Sequence, residues 1–384
     1  MGAMKAPLFV FAGGGTGGHL YPALAIWEEL ADLLPGARAV FVCSSRAVDA
    51  EVLGGAGVEF VATRANYPSV RPRQLWRFVS GWPASVRAAR EVMQRHARET
   101  GGPVHVVTLG GFVAAPAVQA ARVERAPVTL VNIDAVPGRA NRWIARHAQQ
   151  AFTTVADARF PRWQLVAPVV RRAARSALTR AQAREQLGLP ASGRVLLVTG
   201  GSLGARSLNQ MMEALCQHTG NPLECWHVLH QTGHADDSER LRGAYTRADL
   251  EATVVERTAQ LPVWWAAADV ALSRAGAGAV AEAWSTGTPT VFAPYPYHKD
   301  QHQRLNARQL VQAGAAVVGS DRVDPHANLT GELGEHLVRL LTDEPSLEAM
   351  RVRAQNLGPA DGAVCIAKNL AGLTDKPGLG TGMR

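Results

Sequence analysis

Short apolar runs alternate with stretches of helical period along almost the whole chain. In the first half the runs fall near residues 7–12, 39–43, 58–62, 104–109 and 128–132. In the second half they fall near 195–199, 226–230, 253–255, 269–273 and 289–293. After the first run Leu20, Leu24, Trp27, Leu30 and Leu34 recur at three- and four-residue spacing, which predicts a helix with one apolar face. The spacing puts Pro22 in the first turn, where a missing N–H costs little, and Pro35-Gly36 ends the helix. Short buried strands separated by helices predict parallel sheets with right-handed crossovers. Two such α/β halves follow, joined by the irregular stretch Pro161 to Arg175, with a tail lacking apolar period after about residue 373.

Two of the strands run into glycine turns. Gly13-Gly14-Gly15-Thr16-Gly17-Gly18-His19 follows the first run, and Gly200-Gly201-Ser202-Leu203-Gly204-Ala205 follows Val195 to Val198. A glycine turn between a strand and a helix N-terminus frees backbone N–H groups to hold an anion. Having it twice predicts two similar halves facing each other across a phosphate-lined cleft. Gly13, Gly15 and Gly18 also satisfy G-x-G-x-x-G. The second strand, however, ends Cys43-Ser44-Ser45 with no carboxylate before Asp49, so the acid that holds a dinucleotide's ribose is missing.

Composition narrows the class. The chain has 384 residues, 47% hydrophobic and 19% charged, enough for two globular domains. No uninterrupted apolar stretch reaches spanning length and no secretory segment follows Met1, so neither a spanning helix nor export is expected. Cys43, Cys216, Cys225 and Cys365 lack C-x-x-C spacing and read as free thiols of a reducing compartment. The net charge of +8 fits a solvated surface or an acidic partner.

Three further features carry candidate chemistry. His19 closes the first turn at a helix start, where the dipole disfavours protonation; a neutral imidazole there suits a general base, or a histidine that only caps the helix. Ser273 to Glu282 follows a buried strand, with small residues that let a ligand approach the backbone. Glu282, one or two turns into that helix, is a candidate to accept both hydroxyls of a ribose, or an ordinary surface glutamate. His298-Lys299-Asp300-Gln301-His302-Gln303-Arg304-Leu305-Asn306-Ala307 lies beyond a strand's C-terminal end, where α/β folds place ligand contacts.

Together these motifs resemble the MurG family, cytoplasmic UDP-N-acetylglucosamine transferases of peptidoglycan synthesis. The similar stretches are 14–19, 110–116, 200–206, 268–277 and 298–307, in register over about residues 7–370. The resemblance implies the GT-B architecture: two Rossmann-like domains with parallel sheets facing a central cleft. It implies an acceptor-binding, membrane-associating domain over 1–167, a UDP-sugar domain over 168–350, a returning helix over 351–372 and a tail over 373–384. The implied reaction transfers N-acetylglucosamine, with inversion, from UDP-GlcNAc to the C4 hydroxyl of the muramyl sugar of lipid I, giving lipid II. No cofactor, metal or nucleic acid is implied, and nothing resembles a metal-binding D-x-D.

Carried over residue by residue, the resemblance makes His19 the base. It assigns Thr16, Gly17, Gly18, Asp134, Arg171, Ser202, Thr258, Ala277, Gly278, Ala279, Val280, Ala281, Glu282, His302 and Gln303 to the donor. It assigns Gly14, Gly15, Gly110 and Gly111 to the acceptor diphosphate. The sequence departs from the family at Val131-Asn132-Ile133-Asp134, where H-E-Q-N is usual, at Val169-Val170-Arg171, at Thr258 and at His302. Two other readings stay open: a GT-B enzyme glycosylating diacylglycerol, and a non-catalytic scaffold that binds UDP-sugar.

Leu75, Phe78, Val79 and Trp82 share a helical face flanked by Arg71, Arg73, Arg77, Arg87 and Arg90. The flanking arginines favour an interfacial patch on the cytoplasmic face of an anionic plasma membrane over a core-facing stripe. Pro83 is expected to end or kink that helix.

Overall fold

The structure, a computed structural model, describes residues 5–15, 17–65, 72–175, 178–201, 203–218 and 220–374. Thr16, Ser202 and Arg71, three of the positions singled out above, lie outside the described residues. The chain divides into two compact units: the first runs to Arg171 and resumes at Asp361, and the second is Arg172–Ala360.

The first unit holds seven strands: β1 (Leu8–Ala12), β2 (Arg38–Ser44), β3 (Phe60–Thr63), β4 (Val104–Thr108), β5 (Val128–Asn132), β6 (Gln150–Thr153) and β7 (Gln164–Leu165). They pair in parallel in the order β3-β2-β1-β4-β5-β6-β7. Every residue of β1 and β5 is buried, because helices cover both faces of the sheet. On one face Val10, Val40, Val106 and Leu130 pack with Val92, Met93, Val113 and Val118. Phe11 stacks on Phe41 and meets Trp27 edge-on. The last helix, Gly362–Thr374, packs against the first, Gly17–Leu33, and buries Ala363, Ile366, Ala367 and Leu370.

The second unit repeats the plan with β8 (Arg194–Thr199), β9 (Trp226–Gln231), β10 (Ala252–Val255), β11 (Val270–Ser273), β12 (Thr290–Phe292) and β13 (Ala316–Val318). Their order is β10-β9-β8-β11-β12-β13, again all parallel. Each sheet therefore reverses its strand order once, between β1 and β4 and between β8 and β11. At such a switch point the two following helices run to opposite faces of the sheet and leave a crevice at the strands' C-terminal ends.

Ten of these strands coincide with the apolar runs, and β6, β7 and β13 do not. β6 and β7 are short and carry exposed or half-exposed polar residues, so no apolar run announces them. One expectation about proline is corrected. The first helix begins at Gly17, so Pro22 sits in its second turn; the carbonyl it leaves unpaired is that of Gly18, close to the open helix end. The Pro72–Thr100 helix passes through Pro83 without ending. Pro83 and Val79 are both exposed, or partly so, and the carbonyl left without its N–H partner can be solvated.

Candidate active site

The loops after β1 and β4 meet at the first switch point. Gly14 and Gly15 have φ of 154° and 89°, and a Cβ on Gly14 would stand 2.4 Å from Asp49 Oδ2. Asp49 is fully buried and accepts hydrogen bonds from the Gly15 amide at 2.8 Å, the Ser44 amide at 2.9 Å and Ser44 Oγ at 2.6 Å. Arg46 donates to the Gly15 carbonyl at 2.5 Å, and its guanidinium lies over the Phe112 ring. The Gly15 amide, expected at the acceptor diphosphate, is held here by this internal carboxylate. The negative charge that a helix N-terminus attracts is supplied here by the protein itself.

His19 leaves this turn on the first helix and is half-buried. A Cβ on Gly111 would sit 3.5 Å from its Nε2 and Cδ2, so the imidazole packs against the bare backbone of the loop after β4. Burial holds the His19 pKa below its ordinary value; the charges of Asp134 and Asp49 pull it partly back. Its Nδ1 is buried and finds no hydrogen-bond partner among the described residues. Gly110 and Gly111 take φ of 91° and 80°, which side chains rarely adopt, and a Cβ on Gly110 would overlap Asn141 Oδ1. The Gly110 amide donates to Thr108 Oγ1 at 3.1 Å. Asn141 donates to Asn132 at 2.9 Å, and Asn132 in turn donates to the Asp134 carbonyl at 2.7 Å. The 131–134 stretch is thereby fixed to the loop that faces His19.

Arg171 belongs to the first unit and forms an ion pair with Glu28 on the first helix, its Nε donating at 2.7 Å. The guanidinium, expected on the donor phosphate, is paired here with a carboxylate of its own unit.

At the second switch point the turn after β8 is equally tight. Gly201 and Gly204 have φ of 79° and 69°, and a Cβ on Gly204 would overlap the Thr232 carbonyl. The turn after β11 leads into the Ala277–Thr286 helix, capped by Gly276. Ala277, Gly278 and Ala279 form its first turn, the turn whose amides lack carbonyl partners within a helix. Val280 and Ala281, also expected along the nucleotide, are buried, and the Val280 amide donates to the Gly276 carbonyl. Glu282 is half-buried one turn further, and burial pushes its carboxyl up to about 7.

Thr258 lies in the loop after β10, and its amide donates to Gln231 Oε1 at 3.3 Å. Beyond β12, His302 Nδ1 stands 2.8 Å from Asp300 Oδ1 and its ring lies 4.3 Å from that of His298. Gln303 accepts from the Tyr295 amide at 2.8 Å. Asn306 donates to the Ala275 carbonyl at 3.2 Å, tying this segment to the turn after β11.

Residues that the sequence did not single out hold that turn. Arg274 pairs with Asp321 at 2.7 Å and donates to Ser207 Oγ at 2.9 Å and to the Ala293 carbonyl at 2.8 Å. Asp321 also accepts from Ser207, Asn328 and the Val323 amide. Like Asp49, these are buried charges with several partners each. Only spacing from the glycine turns could have pointed to them.

Residues 9–153 match the glycosyltransferase family 28 N-terminal domain and residues 195–364 its C-terminal domain. The chain is 35% identical to the UDP-N-acetylglucosamine--N-acetylmuramyl-(pentapeptide) pyrophosphoryl-undecaprenol N-acetylglucosamine transferase of Solibacter usitatus, over 89% of this chain and 90% of that one. It is 34% identical to the protein of the same name from Desulforudis audaxviator, over 94% and 98%. Among solved structures, Acinetobacter baumannii MurG superposes with a TM-score of 0.69 at 25% identity, covering 97% of this chain and 99% of that one. Two strand orders with one switch point each, glycine turns at both, and full-length relatives of this identity agree: the chain belongs to the MurG family of glycosyltransferases.

Proposed function

We propose that the chain transfers N-acetylglucosamine from UDP-GlcNAc to the C4 hydroxyl of the muramyl sugar of lipid I, with inversion, forming lipid II. The observation that carries the chemistry is His19: burial favours its neutral form and its Nε2 faces the bare backbone of Gly111. In this reading the acceptor oxygen attacks the anomeric carbon while the bond to UDP breaks, and the hydroxyl proton passes to His19. Loop 200–204 and the amides of Ala277, Gly278 and Ala279 receive the charge growing on departing UDP. Glu282 accepts the ribose hydroxyls, and Thr258 faces the base. His302 and Gln303 contact the donor sugar, and Gly110 and Gly111 approach the acceptor diphosphate. The names of the relatives support this donor and this acceptor.

The same reading places the enzyme peripherally on an anionic membrane, on the cytoplasmic side. Among the described residues no helix is long and apolar enough to cross a membrane. Leu75, Trp76 and Val79 are 47%, 70% and 59% exposed; the first two lie between Arg73 and Arg77, and Val79 lies two residues beyond Arg77. Phe78 and Trp82 pack edge to face, and the Trp82 indole donates to Gln119. The docking face is therefore Leu75, Trp76 and Val79, with Phe78 and Trp82 as its support.

Turnover with UDP-GlcNAc and a lipid I analogue, read as UDP release and disaccharide product, tests the assignment. Product is expected with lipid I and not with diacylglycerol. UDP binding without turnover on lipid I would overturn it in favour of a scaffold.

A further inference from the structure

The side chain of Gln231 sits between the two loops that contact the diphosphate and the base of the donor in the reading above. It ends β9 and is only 3% exposed. Its amide nitrogen donates to the Gly201 carbonyl at 3.2 Å and to Thr199 Oγ1 at 3.4 Å, and its oxygen accepts from the Thr258 amide at 3.3 Å. Thr199 Oγ1 accepts from the Gly201 amide at 3.1 Å, so the glycine turn is gripped at both of that residue's backbone groups. Of the uncharged side chains of this length only an amide donates at one atom and accepts at the next.

The residues on either side make the mount rigid. His230 is fully buried between Tyr245 at 2.9 Å and Asn209 at 3.1 Å. Asn209 donates to the Thr232 carbonyl at 3.1 Å and to Asp237 at 2.9 Å. That Thr232 carbonyl is the atom a Cβ on Gly204 would strike. The end of β9 thus fixes the glycine turn from below while Gln231 fixes it laterally to the loop at Thr258.

We propose that Gln231 is a positioning residue that sets the separation between the diphosphate turn and the base loop, so that the site favours a nucleoside diphosphate over either fragment alone. This rests on the donor reading given above. A pre-set separation lets the second contact form without ordering a loop, which strengthens the whole ligand more than its parts.

The test is Gln231→Met, similar in length and without the hydrogen bonds, in the full chain. KM for UDP-GlcNAc and the inhibition constant of UDP should each rise about tenfold, while the inhibition constant of uridine, kcat and the acceptor KM stay within about threefold. A uniform loss in all five, or an unchanged donor KM, would overturn the proposal. Should that variant not fold, Gln231→Glu keeps the size and the acceptor for Thr258 but turns an oxygen toward the Gly201 carbonyl. It should weaken UDP and leave uridine unchanged; equal weakening of both refutes the link. Hydrogen exchange of the unmodified enzyme with and without UDP separates the two readings. Absent protection over 199–206 and 256–260 means the donor reading has failed; protection together with a normal donor KM in Gln231→Met means only the Gln231 link has.

Discussion

The carboxylate of Asp49 holds the amide of Gly15, 34 residues away in sequence, at 2.8 Å. That bond turns a loop of the phosphate-binding type into a rigid bracket for His19. Asp49→Asn keeps the size but removes the charge that strengthens its bonds, and with its oxygen at the Oδ2 position it turns an NH2 group toward the Gly15 amide. Stability should fall by about 1–3 kcal/mol in urea unfolding, and kcat by about tenfold or more, with donor KM little changed. Wild-type kcat in the Asp49→Asn enzyme would show the bracket to be dispensable.

His19→Ala should lower kcat by about two to four orders of magnitude if the imidazole takes the acceptor proton. Burial keeps its pKa below 6.5, so the acid limb of kcat/KM should lie below that pH. Asp134→Asn removes a negative charge that pulls this pKa up, so the limb should move to lower pH. A shift upward, or none, in the pH profile would dissociate Asp134 from the base.

Glu282, with its carboxyl pushed up to about 7, is about half protonated at neutral pH before the donor arrives. A ribose diol needs the carboxylate as acceptor, so donor KM should fall roughly fivefold to tenfold between pH 6 and pH 8. Glu282→Gln should raise KM and flatten this dependence. A wild-type KM indifferent to pH would argue against the ribose contact.

Two buried histidines away from the reaction predict acid sensitivity of the fold. Burial lowers His230 to about 3 and His105 to about 4. Both folded values lie below the unfolded 6.5, so the stability these groups contribute is complete above pH 6.5. It is lost as pH falls from there through the folded values, by about 1.4 kcal/mol per pH unit for each histidine. Denaturant melts between about pH 4 and 7 should show this slope, and His105→Gln should reduce it.

At the proposed docking face, Trp76→Glu should weaken binding to anionic vesicles by at least about tenfold, since an exposed large apolar side chain contributes about 1.5–3 kcal/mol when buried. Turnover on a detergent-soluble acceptor should persist. Trp82→Glu is the poorer probe, because it also removes the bond to Gln119 and the packing on Phe78. Unchanged vesicle binding by sedimentation would move the docking face elsewhere.

Strand positions were legible because helices cover both faces of each sheet, so central strands such as β1 and β5 read as unbroken apolar runs. Edge strands such as β7 have no such run. At the site, glycine turns announced where loops meet, since only glycine tolerates the approaches of Asn141 to Gly110 and of Thr232 to Gly204. What holds those turns was not legible. Asp49, Gln231 and the Arg274–Asp321 pair act through contacts far apart in sequence, and as single letters they look like any surface polar residue. Val280 and Ala281, placed along the nucleotide by the resemblance, have side chains that helix geometry turns into the core.

The second unit interrupts the first, which resumes only at Asp361, where a backbone bridge to Val169 and a bond from the Gly362 amide to Pro168 clasp the outgoing and returning segments together. A ribosome must therefore release the whole second unit and the helix after it before the opening lobe can cover its first helix. Until then that helix shows a bare apolar flank, while the inserted lobe can already be complete. Loss of the closing helix should consequently strike the lobe synthesised earliest and spare the one synthesised just before it.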